Sequence, residues 1–363
     1  MVRFMKILCL LILIVGFVSL DSCRKNSPTI LAPPPLAPLD STSHDIAWSK
    51  QILDASGSLQ AVWIFNDTNA IAVGEFFLHD SLGQWDPMRY NAAFWNGVDW
   101  IPKRISAPYR GNLVTVPLDG IFGFSLSDIW LVGEGAPIHG DGTSWTLYQL
   151  WDMGTLLSTD GSVLSLWGSG ATDMYFVGTK GCVVHYTGNW QKLTSGTTLD
   201  IMDIWGGTDP NTEIPVMLAA ATGASPADGS KILTIEGSTI TLQPTSSLSW
   251  SLSSVWFDYG RRTYVVGGGI WYIDPGESWQ GGTLDLTTYY SIRVRGTAAN
   301  DVFVIGAYGD ILHYNGSTWI NYHSQTGLVN GAYGGICVRK NLVIVVGEEF
   351  PSPVITIGRR SSN

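Results

Sequence analysis

Leu166-Trp167-Gly168-Ser169-Gly170-Ala171-Thr172-Asp173-Met174-Tyr175-Phe176-Val177-Gly178, continuing into Val183-Val184-His185-Tyr186-Thr187-Gly188-Asn189-Trp190, is the clearest copy of a phrase that recurs along the whole chain. Arg295-Gly296 to Ile305-Gly306, followed by Ile311-Leu312-His313-Tyr314-Asn315-Gly316-Ser317-Thr318-Trp319, repeats it with the same turn lengths. Phe122-Gly123 through Asp128-Ile129-Trp130-Leu131-Val132-Gly133, then Ile138-His139-Gly140 and Ser144-Trp145, is a third copy. Weaker copies begin at Trp63, Trp205, Trp256 and Ile336. The glycines that end the second run stand at 74, 133, 178, 267, 306 and 347, and the Trp205 copy fills the wide gap. Six intervals across those 273 residues average 45.5, so seven units fit. A period of that length marks stacked supersecondary units and not a single ordinary core.

Each unit divides into short β-rich runs separated by Gly, Ser, Asn, Asp and Thr, with no apolar stripe of helical length. The Asp141-Gly142 and Asn315-Gly316 pairs supply the positive φ that tight hairpins need. One four-stranded unit cannot bury both faces of its sheet, whereas a radial ring of them can, and closure protects the strand edges. The expected fold is therefore all-β: a seven-bladed β-propeller of four-stranded antiparallel blades. The last unit lacks a Trp-bearing fourth strand before the chain ends at Asn363. Ala47-Trp48-Ser49-Lys50-Gln51-Ile52-Leu53 matches the fourth strands at Trp145 and Trp190, so it is expected to close the ring as the outer strand of the last blade.

The first forty residues read differently. Arg3 and Lys6 precede an apolar stretch from Ile7 to Leu20, too short to span a bilayer and of the length of an export signal. Leu20-Asp21-Ser22-Cys23 resembles the lipobox of bacterial lipoproteins, with Asp21 a departure from it, and implies that Cys23 is lipidated as the mature N-terminus. The segment after it, including Ala32-Pro33-Pro34-Pro35-Leu36-Ala37-Pro38, is an extended spacer. The expected domains are a signal peptide over 1–22, a lipidated Cys and Pro-rich tether over 23–43, and the propeller over 44–363. By the same resemblance, the absence of Asp after Cys23 implies delivery to the outer membrane of a Gram-negative host, facing the periplasm or the cell surface. Removing residues 1–22 leaves 18 basic and 29 acidic residues, a net charge of −11. That balance argues against nucleic acid as a partner and against charge-driven binding to anionic lipid. Cys182 and Cys337 lie in units that are not ring neighbours, which favours two buried free thiols.

Few residues point to chemistry. His139, His185 and His313 occupy one repeat position in three units, so the ring spreads them apart and they cannot converge on one ion; hydrogen bonding within a hairpin is expected instead. Asp128, Asp173 and Asp301 recur at a turn, where capping of backbone amides is expected. No zinc spacing, phosphate-cradling loop or nucleophile elbow occurs, and neither a metal nor a cofactor is expected. Eleven residues before the end glycines stand Trp63, Phe122, Trp167, Trp256 and Arg295, with Trp205 at the matching place in its unit. This set lies on one circle. It either wedges between blades or, with Arg293 and Arg295 breaking the symmetry, forms a ligand-binding rim at a channel mouth.

The blades resemble those of bacterial β-propeller lipoproteins with Ile-Trp-Gly-Ser, Asp-Val-Trp-Ala-Val-Gly and His-Tyr-Asp-Gly phrases, most strongly over 120–192 and 290–320. More distantly the chain is similar to photosystem-assembly and sialidase-repeat propellers. The turns at Asp141 and Asn315 miss the spacing of the sialidase Asp-box. The resemblance implies a monomeric, membrane-tethered, non-catalytic binding or scaffolding propeller that engages a protein or glycan through one face. The alternative is a carbohydrate-active enzyme, which would gather carboxyl groups of raised pKa at the channel mouth. Cys23→Ala is expected to move the protein from the membrane to the soluble fraction and to abolish fatty-acid labelling. An unlabelled parent whose variant stays membrane-bound would refute the anchor.

Overall fold

The computed structural model describes residues 38–283, 286–287 and 289–360. The expected signal peptide and lipobox, and most of the expected Pro-rich tether, lie outside them. The described strands build seven four-stranded antiparallel sheets, so the seven-bladed β-propeller expected from the repeat is observed. Their residues run over 56–103, 120–147, 163–193, 200–243, 252–283, 291–321 and 331–360, blades one to seven in chain order. The first strand of each blade is innermost and the fourth outermost. In blade seven the outermost strand is Ile46–Ile52, antiparallel to Ser352–Arg360, with Trp48 opposite Gly358. An early strand thus seals the ring on a late one.

Local chemistry explains the blades. The Gly142 and Gly316 hairpin turns have φ of 85° and 96°, where a side chain would be strained. Second strands such as Asp128–Gly133 and Asp301–Gly306 are almost wholly buried because neighbouring blades cover both faces. In blades two, three and six a strand-three His lies opposite a strand-two aromatic and stacks on it. Trp130–His139, Tyr175–His185 and Phe303–His313 have ring centroids 4.0, 3.9 and 4.3 Å apart. The same imidazoles bond Asp128, Asp173 and Asp301 at 2.8, 2.6 and 2.9 Å. The recurrent Asp therefore pairs with the recurrent His and does not cap backbone amides, because strand pairing brings the two side chains within reach.

In blades three and six a hydroxyl, from Ser169 and Thr297 respectively, donates to the same carboxylate. The carboxylate bridges hydroxyl and imidazole. This is not the order of a Ser-His-Asp triad, in which the imidazole touches the hydroxyl; here the contacts staple strands of one blade together. Cys182 and Cys337 are buried and free, and burial pushes both thiols up to about 11.

Residues 40–44, just before the closing strand, are hydrogen-bonded to blade six. Thr42 N–H donates to the Asn315 carbonyl at 2.8 Å, and Thr42 Oγ1 to the Asn300 carbonyl at 3.0 Å. His44 Nδ1 lies 2.9 Å from His313 Nδ1, and His44 Nε2 lies 3.0 Å from Thr318 Oγ1. Asp301 also accepts from Arg360. One proton can lie between the two Nδ1 atoms, so the pair is held neutral, and both imidazoles titrate below 6.5, chiefly through burial. The unfolded chain then takes up protons that the folded one refuses. Stability is complete above pH 6.5 and is lost as pH falls toward the lowered folded values. We expect His44→Ala to cost roughly 1 kcal/mol at pH 7.5 and to show a smaller further loss than the parent between pH 6.5 and 5, measured by urea unfolding.

Candidate functional site

The channel is shaped by a backbone irregularity that recurs in the inner strands. Register shifts fall between Leu59 and Ala61, Val163 and Ser165, Ile201 and Asp203, Leu252 and Ser254, Ser291 and Arg293, and Tyr333 and Gly335. Such a bulge inserts one residue and re-aims the side chain after it. The residues after it are equivalent by pairing with the second strand: Ala61, Ser165, Asp203, Ser254, Arg293 and Gly335, with Gly120 at this level in blade two. Blades three to six thus present polar side chains at one level, while blades seven, one and two present only Gly and Ala.

Asp203 is fully buried and collects most of the polar side. Its Oδ1 accepts from Arg293 Nη1 and Arg295 Nη2, both at 2.8 Å, and its Oδ2 accepts from Arg295 Nη1 at 2.8 Å. Ser254 Oγ and Val255 N–H donate to Oδ2 as well. Burial opposes ionisation of Asp203, but the two guanidiniums and these donors outweigh it and hold the carboxyl down at about 2. The bridge crosses the channel from blade four to blade six. Arg295 also lies over the Trp205 ring, 4.8 Å from its centroid.

The aromatic circle divides into two groups. Phe122, Trp167 and Trp256 are 8, 6 and 3% exposed. A Cβ on Gly206 would come within 2.5 Å of the Trp167 ring, and one on Gly296 within 2.9 Å of Trp256. In blades four and six the glycine after the aromatic position therefore seats the ring of the preceding blade. Trp63, half-buried, donates from Nε1 to the Gly123 carbonyl at 2.8 Å and packs on Phe122 at 4.4 Å. Trp63, Trp205, Arg295 and Ile336 form the septum between two channel cavities of about 60 and about 120 Å³. Phe122 and Arg293 also line the smaller one, whereas Trp167 and Trp256 line neither. Strand pairing puts Cys337 at the circle's seventh place.

Asp203, Ser165 and Ser254 were not singled out from sequence, although each stands two residues before its blade's aromatic position. Asp119, another residue missed, immediately precedes the inner strand of blade two, Gly120–Ser125, on the wall of the smaller cavity. Burial, with Glu134 and Glu75 nearby, raises its carboxyl to about 6.

The two propeller faces differ. Strand order places the connections between blades and the second-to-third strand loops on one face, around the mouth where the inner strands begin. The first-to-second and third-to-fourth turns lie on the other. Of 21 exposed large apolar side chains among the described residues, twelve sit in connections of the first face and three, Val98, Leu126 and Ile214, at the turns of the second. The first group includes Trp85, Trp250, Tyr289, Tyr290, Tyr308 and Phe350. Tyr289 and Tyr308 touch at 4.4 Å, and Tyr290 bonds Ser251 at 2.9 Å, joining connections of blades five and six. No group of three or more His, Cys, Asp or Glu able to hold a metal occurs among the described residues, and no helix there is long and apolar enough to cross a membrane.

No family model and no curated protein matches this chain. Solved structures match in fold. YCF48 bound to D1 peptide is 16% identical over 91% of this chain and 99% of that one, with a TM-score of 0.61. A catalytically inactive virginiamycin B lyase from Staphylococcus aureus with quinupristin is 11% identical over 86% and 99%, also at 0.61. The WD40 β-propeller domain of Doa1 is 13% identical over 86% and 96%, at 0.56. Identities this low carry the fold alone. Asp203→Asn is expected to cost about 3–5 kcal/mol in chemical denaturation, because two guanidiniums lose their counter-charge in a buried site. Ser254→Ala should cost about 1 kcal/mol.

Proposed function

We propose that the protein is a non-catalytic binding propeller, lipid-anchored at Cys23 in the bacterial cell envelope, that engages a protein partner through the face bearing the blade connections. The uneven distribution of exposed apolar side chains carries this reading. A soluble ring needs no concentration of Trp, Tyr and Phe on one face, whereas a docking surface does, and exposed patches of this kind mark interaction sites. The structurally similar YCF48 is described with a bound peptide, which is consistent with a polypeptide ligand. A Pro-rich tether would hold the propeller away from the bilayer and leave this face free. In this reading Trp63, Phe122, Trp167, Trp205 and Trp256 serve mainly to build the ring and the channel septum.

A photo-crosslinking side chain placed at Tyr289, Trp85 or Phe350 is expected to give a protease-sensitive adduct in cells, and one at Val98 or Ile214 on the opposite face none. Adducts confined to the opposite face would refute this choice of face. Protease-resistant, glycosidase-sensitive adducts would replace the protein partner by a glycan.

A second reading, a carbohydrate-active enzyme, draws on Asp119, whose raised carboxyl suits a general acid. It requires a glycosidase activity that Asp119→Asn removes, with the variant's unfolding midpoint unchanged.

A further inference from the structure

We propose that the smaller channel cavity is a carboxylate-binding site anchored by Arg293. The observation behind it is a charge imbalance built into the ring. At the level of the bulges two guanidiniums meet one carboxylate, Asp203, and the other carboxyl on the cavity wall, Asp119, is bonded to neither of them among the described residues. Guanidinium stays charged in proteins, so it must be met by an anion or by water.

The two arginines are not equivalent. Arg295 is committed: both terminal nitrogens bond Asp203, and Nη1 also reaches Ser254 Oγ at 3.2 Å and the Val294 carbonyl at 2.7 Å. Arg293 spends only Nη1, on Asp203 Oδ1, and no other bond from its guanidinium is found among the described residues. Its side chain keeps 21% of its surface exposed and lines the cavity. The positions at this level in blades seven, one and two are Gly335, Ala61 and Gly120, so no side-chain acceptor stands there; the acceptors elsewhere on the cavity wall are Gln60, Asp119 and Ser165, and none of them is bonded to Arg293 among the described residues.

The geometry selects the anion. A cavity of about 60 Å³ has room for a small group, and a guanidinium fork matches a planar carboxylate with two parallel N–H donors. Asp119 on the blade-two wall, with Glu75 and Glu134 beyond it, disfavours a doubly charged phosphate. The carboxylate could belong to a free organic acid or to a polypeptide, as a side chain or chain end. The proposal stands independently of the docking face, since it needs none of the exposed aromatics.

The test is thermal unfolding and titration calorimetry of the purified full chain with sodium acetate, against sodium chloride and sodium phosphate at matched ionic strength. We expect saturable binding and stabilisation by acetate that chloride and phosphate do not reproduce. Arg293→Gln, which leaves the Asp203–Arg295 pair in place, should weaken acetate binding by roughly ten- to a hundredfold. Arg110→Gln, which breaks a surface pair with Asp152, should leave it unchanged. A short peptide with a free C-terminus, run beside its amidated form, separates the sources: preference for the free acid at equal or higher affinity than acetate assigns a chain end, and acetate binding without it assigns a small acid. Absence of saturable binding, equal responses to all three anions, or undiminished binding by a folded Arg293→Gln variant would overturn the proposal.

Discussion

Every blade depends on having a neighbour on both sides. Its second strand is apolar on both faces, as in the fully buried Asp301–Gly306, and in an open array the terminal blades would leave such faces in water. Closure is therefore the constraint under which this sequence is stable. It is made by seven main-chain pairings between Ile46–Ile52 and Val354–Arg360. The segment before that strand adds side-chain bonds to blade six, through Thr42 and His44. Because the sealing strand lies about three hundred residues from its partner in sequence, closure is entropically expensive. Side-chain ties beside the seam offset part of that cost.

Inside the ring the blades are matched by size. An aromatic at the end of one inner strand lies over a glycine of the next blade, as Trp167 does over Gly206 and Trp256 over Gly296. Gly206 and Gly296 each receive the ring of the preceding blade, whereas Gly123 receives Phe65 and Gly168 meets Met174 of its own blade. Where the pattern breaks, at Arg295, the chain places charge in the channel. Asp203 answers that charge from two blades away, and the result is a septum of Arg295, Trp205, Trp63 and Ile336 dividing the channel.

The strand packing and the exposed apolar side chains thus occupy different parts of the molecule. The strands keep one four-stranded order in every blade, and Asp–His–aromatic staples tie those of blades two, three and six. The connections vary in length and carry the exposed aromatics. A scaffold of this kind lets the loop face change without disturbing the ring. In the staples of blades three and six the carboxylate is the bridging group, so hydroxyl and imidazole do not touch.

The fold was legible in the sequence because its physics is local and repeated. Strand-length apolar runs, Asp-Gly and Asn-Gly turns and the spacing of end glycines determined blade number, and the missing fourth strand at the C-terminus determined the closing strand. The aromatic circle and Arg293 and Arg295 were likewise found from repeat position. What those side chains touch was not, because it depends on bulges that shift each inner strand by one residue and on contacts between blades distant in sequence. Asp203 is bonded to residues 90 and 92 positions away, two repeats along the chain; the period makes Asp203 and Arg293 equivalent positions but does not say that side chains two blades apart meet. The ring geometry alone brought them together, and it alone decided which face carries the exposed aromatics.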